Sequence, residues 1–276
     1  MEKVPVLIAD DNEVSLKDRG DMDVTVVTEI TKLRRSTPSV LAQYRRRVRG
    51  GRKAQREDFA LLIAYARELH KHTPEALPGL AKMLGRAVQA RAMTRLLWNK
   101  EAGIPKDCQP DTVLFDPFLP LTRGGWSLDN LKREVTTASP LSLTTDVMLP
   151  WPWEKGRLSR ALVNLGPGGA WGEWRQDWNH SIELWLPLGI GWVHGGNHTI
   201  TAGIVHGTGR VRAEVIYDIG PVYRHVTCDG VEFRRKHDGS LIGPVTDLEM
   251  AGLFEVGRLL AKAGSRGTAS VGGRRR

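Results

Sequence analysis

Hydrophobic residues recur along this chain with two different periods, and the change of period divides it. Between residues 37 and 104 the spacing is helical. Phe59, Leu62, Ile63, Ala66 and Leu69 form one stripe, and Leu77, Leu80, Leu84, Val88, Met93, Leu96 and Leu97 form another, as in helices that bury one face. Thr37 is placed to cap a first helix that begins with Pro38. Gly50-Gly51 interrupts it, and further helices are expected over about Lys53–Lys71 and Pro74–Glu101, closed by Gly103 and Pro105.

Residues 1–36 carry only short elements. Residues 105–145 are rich in turn formers (Pro105, Pro110, Pro117, Pro120, Gly124-Gly125, Pro140) and read as a linker or extended strap. From 146 to about 263 strand and helix signals alternate. Leu149–Trp153 is extended, and Glu154–Leu165 is a short helix with Leu158, Ala161, Leu162 and Leu165 on one face. Ser181–Leu186 and Ile190–His194 are strands, followed by Gly195-Gly196 and a helix to about His206. Arg210–Tyr217 reads as one strand of period two, with Val211, Ala213, Val215 and Tyr217 on its apolar face. Asp229-Gly230 and Asp238-Gly239 mark hairpins within 222–242. An amphipathic helix follows over 246–263, and from residue 264 Gly, Ser and Arg predominate, which predicts a disordered basic tail. The fold class expected is α/β in the mixed α+β sense: a basic helical region, a linker and an α/β domain.

Composition narrows the function classes. With 41% hydrophobic residues the chain can bury a core. It has no apolar run long enough to span a membrane, and Met1-Glu2-Lys3-Val4-Pro5 lacks the pattern of a secretory signal. Cys108 and Cys228 are the only cysteines, so a cytoplasmic protein without a disulfide framework is expected. Forty Lys and Arg against 31 Asp and Glu give a net charge of +9, which favours polyanionic partners. Between Lys32 and Arg56 no acid interrupts the basic residues. Arg45, Arg46, Arg47, Arg49, Arg52 and Lys53 are therefore the candidate phosphate-binding residues; a solvated helix face with a flexible elbow at the two glycines is the plainer account. Eight of the nine tryptophans lie between Trp126 and Trp192. Trp151, Trp153, Trp171, Trp174 and Trp178 could stack the bases of a single strand, although core packing accounts for most tryptophans.

The chemistry concentrates at Gly195-Gly196-Asn197-His198-Thr199. Two glycines let the backbone approach a ligand, and the helix that starts there offers free N–H groups to an anion. Gly195, Gly196, Thr199 and Thr201 form the candidate cofactor cradle. His198 could polarise a phosphate or transfer a proton, or simply brace the turn. Asn197 could meet a phosphate oxygen, or serve as a turn residue. On the strand that follows, Glu214 could act as base or hold a divalent ion and Arg212 could steady a phosphorane; a surface ion pair is the alternative. Zinc is not expected, because His194 and His198 flank a turn instead of sharing a helical face. Glu173, Asp177 and Glu183 are conceivable magnesium ligands whose spacing alone does not select them.

From Leu149 to Asp218 the order of elements and the glycine turn resemble the ParB/sulfiredoxin fold. Asn197 stands where sulfiredoxin has its cysteine, so sulfinic-acid reduction is not implied, and Thr199 stands where relatives carry an arginine. Within that superfamily the chain is similar to plasmid fertility-inhibition proteins of the Osa and FiwA type. The resemblance implies a factor that blocks conjugative or T-DNA transfer by acting on DNA, notably a single-stranded transfer intermediate, as an ATP-stimulated DNase using ATP and Mg. Two alternatives stay open. One is a non-enzymatic inhibitor that binds DNA or a conjugative coupling protein; the other is a nucleotide-dependent switch of the partition type.

Overall fold

The computed structural model describes residues 40–98, 114–136 and 140–271, with the side chains of 40–50 and 264–271 outside that description. Expectations for residues 1–36, for the cap at Thr37 and for 99–113 lie outside the described residues. The chain divides into two compact units, 1–45 and 46–276. Of the first, only the helical residues 40–45 are described.

Six helices and ten strands are described. Helix α1 (Val40–His72) is interrupted at Gly51, whose φ of 53° and ψ of −146° are not helical, as the Gly50-Gly51 pair predicts. A 3-10 turn at Pro74–Ala76 precedes α2 (Leu77–Trp98). The short α3 (Leu128–Leu131) starts at Ser127, whose hydroxyl and Asn130 form a reciprocal cap. Strands β1 (Arg133–Glu134), β2 (Leu141–Ser142) and β3 (Val147–Leu149) lead to α4 (Lys155–Asn164). Strands β4 (Ile182–Leu186) and β5 (Ile190–Val193) precede α5 (Asn197–His206). Strands β6 (Arg210–Val211), β7 (Val215–Asp218), β8 (Val226–Cys228), β9 (Glu232–Arg235) and β10 (Leu241–Pro244) lead to α6 (Leu248–Val271).

The central sheet runs β1-β7-β4-β5-β3. Pairs β3/β5 and β4/β7 are parallel, while β4/β5 and β1/β7 are antiparallel. Alternation along each strand gives the sheet two apolar faces. Val147, Leu149, Trp185, Ile190 and Trp192 pack beneath α1, α2 and α6, together with Phe59, Val88, Leu253 and Phe254. Met148, Ile182 and Val193 face the other way, onto Ala161 and Leu165 of α4 and Ile200 and Ala202 of α5. The fold is thus mixed α and β, a sheet between two helical layers. Each fully buried side chain of this size contributes about 1.5–3 kcal/mol, so both faces are needed to hold a sheet with such short strands.

Strand β3 is one edge of the sheet, and α2 closes it. The amide of Gln89, 2% exposed, donates to the Met148 carbonyl at 2.8 Å. This satisfies an edge carbonyl that would otherwise be open to pairing.

Three expectations are corrected. The strand expected over Arg210–Tyr217 is two strands: β6 pairs with β2, and β7 pairs with β4. The break at 212–214 is held by the Gln176 side chain, which accepts from Arg212 N–H at 2.8 Å and donates to its carbonyl at 3.0 Å, much as a neighbouring strand would. Second, the turn-rich segment before residue 146 is part of the core. Leu114, Phe115, Leu121, Leu128 and Leu131 are buried, and β1 extends the central sheet. Proline and glycine there mark turns between short buried pieces. Third, α6 runs on to Val271, past the expected end at 263 and into the tail read as disordered. Both predicted hairpins form: Asp229-Gly230 joins β8 to β9, and Asp238-Gly239 joins β9 to β10.

Candidate functional site

The glycine turn closes β5. His194 N–H and Gly195 N–H both donate to the Ser181 carbonyl, at 2.9 and 3.2 Å, so the chain turns while still paired to the segment before β4. Gly196 lies in the left-handed region (φ 74°, ψ 21°) at the cap of α5, a conformation open to glycine at little cost. Packing also demands both glycines. A Cβ on Gly195 would run into the Asn179 carbonyl, and one on Gly196 into the His180 ring. The turn formed by Asp177–His180 is therefore seated directly on the two glycines.

His180 is 4% exposed and acts as the keystone of that seat. Thr199 Oγ1 donates to the Gly196 carbonyl at 2.9 Å, and His180 Nε2 lies 2.8 Å from the same hydroxyl. The hydroxyl has one hydrogen, so the ring nitrogen must be the donor. His180 Nδ1 then accepts from Asp177 N–H at 3.0 Å. Trp174 packs on the His180 ring with centroids 4.8 Å apart, and its indole donates to the Thr199 carbonyl at 2.9 Å.

The opposite side of the turn grips the strap Trp151-Pro152-Trp153-Glu154, which leads from β3 into α4. Asn197 Oδ1 accepts the Trp151 N–H at 2.7 Å, and His198 Nε2 accepts the Glu154 N–H at 3.2 Å. Pro152 has no amide hydrogen, so these two bonds take two of the strap's three amide donors. The Trp153 ring meets His198 edge to face at 4.4 Å. Glu154 in turn caps α4, accepting from Gly156 and Arg157 N–H at 2.7 and 2.8 Å.

Electrostatics agree with these roles. Burial, and then the nearby Arg157 guanidinium, push the His198 imidazole below its ordinary value, so the neutral acceptor form is favoured. Burial raises the Glu154 carboxyl, but the amide donors of Arg157 and Gly156 outweigh it and hold the group below its usual value.

The structure brings together Gly195, Gly196, Asn197, His198 and Thr199, while the Thr201 hydroxyl is turned inward, donating to the Asn197 carbonyl at 2.7 Å. Glu214 reaches the edge of this cluster: its carboxylate accepts from the Ser181 hydroxyl at 2.6 Å. Arg212 sits in the break between β6 and β7 with its backbone bonded to Gln176, so the expected pairing of Arg212 and Glu214 on one strand face does not form. The histidines take separate partners. His194 meets Glu183 at 3.5 Å, and His206 meets the Leu162 carbonyl at 3.0 Å. Among the described residues no group of three His, Cys, Asp or Glu side chains converges as a metal site.

The groups of the candidate cradle are occupied within the protein as folded. The space over Gly195 and Gly196 is filled by Asn179 and His180, and the hydroxyls of Thr199 and Thr201 are bonded within the protein.

In the basic segment, the side chains of Arg45, Arg46, Arg47 and Arg49 lie outside the described residues. Arg52 reaches Glu232 at 3.3 Å while remaining 69% exposed, and Arg56 meets Asp229 at 2.7 Å. Lys53 is exposed. This part of α1 therefore rests on the β8–β9 hairpin and keeps cationic surface outward.

One cluster was not foreseen as a unit. Glu183 lies 3.7 Å from Lys132 and accepts from the Trp185 indole in addition to meeting His194. Burial raises its carboxyl, but His194, Trp185 and Lys132 together draw it below the usual range. The available signal was strand alternation, which puts Glu183 and Trp185 on one face.

A family model described as a family of unknown function, DUF6710, matches residues 47–266. No curated protein and no solved structure matches the chain.

Proposed function

We propose that this chain, which belongs to the DUF6710 family of unknown function, is a DNA-binding protein that acts by occupying its target instead of cutting it. Its biological setting is the one implied by the resemblance to fertility-inhibition factors, the blocking of conjugative or T-DNA transfer from a plasmid-encoded gene.

The observation that carries occupancy over cleavage is the state of the glycine turn. Asn197 Oδ1 and His198 Nε2 are both committed to backbone donors of the strap. A general base must offer its lone pair to a substrate proton, and His198 uses that lone pair to hold Glu154. The binding half of the reading is supported by the net charge of +9 and by the acid-free basic run from Lys32 to Arg56.

The test is electrophoretic. Labelled single-stranded and duplex DNA are incubated with the protein, with and without Mg-ATP, then run on native and denaturing gels. Occupancy predicts retarded complexes and full-length strands in every lane. Shortened strands that vanish with His198→Gln would restore the hydrolytic reading.

A further inference from the structure

We infer that helix α4, Trp153 and Trp171 at its two ends, and the exposed Trp178 of the loop that follows form a track for single-stranded DNA, an inference that rests on the DNA-binding reading above. Trp178 is 93% exposed and Trp171 is 54% exposed, while Trp174, between them in sequence, is 5% exposed. One loop thus buries its middle indole and presents the other two to solvent. Large aromatic side chains are ordinarily used for burial.

The backbone that carries these indoles is braced. Trp171 N–H donates to the Asn164 carbonyl at 2.9 Å, which fixes it at the carboxyl end of α4. Trp178 occupies the corner of the Asp177–His180 turn, which Asn179 N–H braces against Asp177 at 2.9 Å and which is seated on Gly195 and Gly196. Trp153 lies at the amino end of α4, where the Arg157 guanidinium sits 5.9 Å from its ring centre. A braced backbone lowers the entropy lost when the loop binds a ligand.

Between Trp153 and Trp171 runs a cationic helix. Lys155, Arg157 and Arg160 are exposed on α4, and no acid occurs between Lys155 and Asn164. Two flanking carboxylates are engaged by backbone amides: Glu154 caps the helix, and Asp177 Oδ1 accepts from Asn179 N–H at 2.9 Å. Ten residues of helix span about 15 Å, enough for a few nucleotides. Lys and Arg serve the phosphates, and the indoles at the helix ends and on the Asp177–His180 turn serve unstacked bases. A duplex hides its base faces, so the ligand chemistry is that of a single strand.

The experiment compares fluorescence anisotropy of labelled oligothymidine, oligouridine and a duplex against the wild-type protein and the variants Trp178→Ala, Trp171→Ala and Trp178→Phe. Each alanine variant is expected to weaken oligothymidine binding about tenfold, to leave duplex binding unchanged, and to be largely rescued at position 178 by phenylalanine. Unchanged oligothymidine affinity in both alanine variants, with wild-type DNA binding intact, would overturn this inference alone. Wild-type protein that binds neither DNA would overturn the underlying reading with it. Tighter binding of oligouridine than of oligothymidine would overturn the assignment of the strand as DNA.

Discussion

Asn197 Oδ1 accepts the Trp151 amide hydrogen at 2.7 Å across 46 residues of sequence. The bond joins the chain just beyond the carboxyl ends of β3 and β5, two strands that lie parallel and side by side. It fixes where the strap leaves the sheet, and so where α4 begins.

Removing that acceptor leaves a strap N–H without its partner. Asn197→Ala is expected to lower stability by about 1–3 kcal/mol, read as a lower urea midpoint with an unchanged slope. A midpoint equal to wild type would show that the clamp contributes nothing.

His198 makes the clamp sensitive to acid. Burial and Arg157 hold its folded-state value below the ordinary 6.5, so the unfolded chain takes up the proton first as pH falls. The stability tied to neutral His198 is therefore complete above about 6.5 and is lost as pH drops from there toward the depressed folded value. His225 is shifted in the same direction, by burial and by Arg224, so the comparison must be with a variant. Urea titrations on both sides of pH 6.5 should show that His198→Gln loses less stability on acidification than wild type. Equal losses would place the pH dependence elsewhere.

The two glycine effects at the turn can be separated. Gly196 and Gly168 both have positive φ, 74° and 80°, but only at Gly196 would a Cβ strike another residue, His180. Gly168→Ala should cost about 1 kcal/mol from the backbone alone, and Gly196→Ala distinctly more. Equal melting shifts for the two variants would remove His180 as the reason for the glycine.

What the sequence made legible followed from periodicity. The order helix, strand, strand, helix from Lys155 to His206 stands as the alternating pattern predicts, and so do both Asp-Gly hairpins and the kink at Gly51. The strand before them is Val147–Leu149, and the stretch expected to be extended, Leu149–Trp153, is mostly the strap beyond it. The break in the strand at 212–214 was not legible, because Arg210–Tyr217 alternates without interruption and the break is imposed by Gln176 from another loop. The burial of Leu114 to Leu131 was masked by the prolines and glycines around them. At the candidate site, the residues Gly195 to Thr199 stood out, but their partners did not. Asn197 and His198 are spent on amides 46 and 44 residues away, and no local pattern records an acceptor used at that distance. The same holds for the tryptophans: sequence supplied the cluster, and only burial separates Trp174 from Trp171 and Trp178.

The central claim is that the protein holds DNA through its cationic residues, and the salt dependence of affinity tests it most directly. Anisotropy of labelled DNA, measured over a series of salt concentrations, should give an affinity that falls steeply, with log K linear in log salt. The triple variant Arg45→Gln, Arg46→Gln, Arg47→Gln should lower that slope by about 0.7–0.9 for each phosphate that these arginines neutralise. An affinity indifferent to salt, or a slope unchanged in the triple variant, would contradict the account.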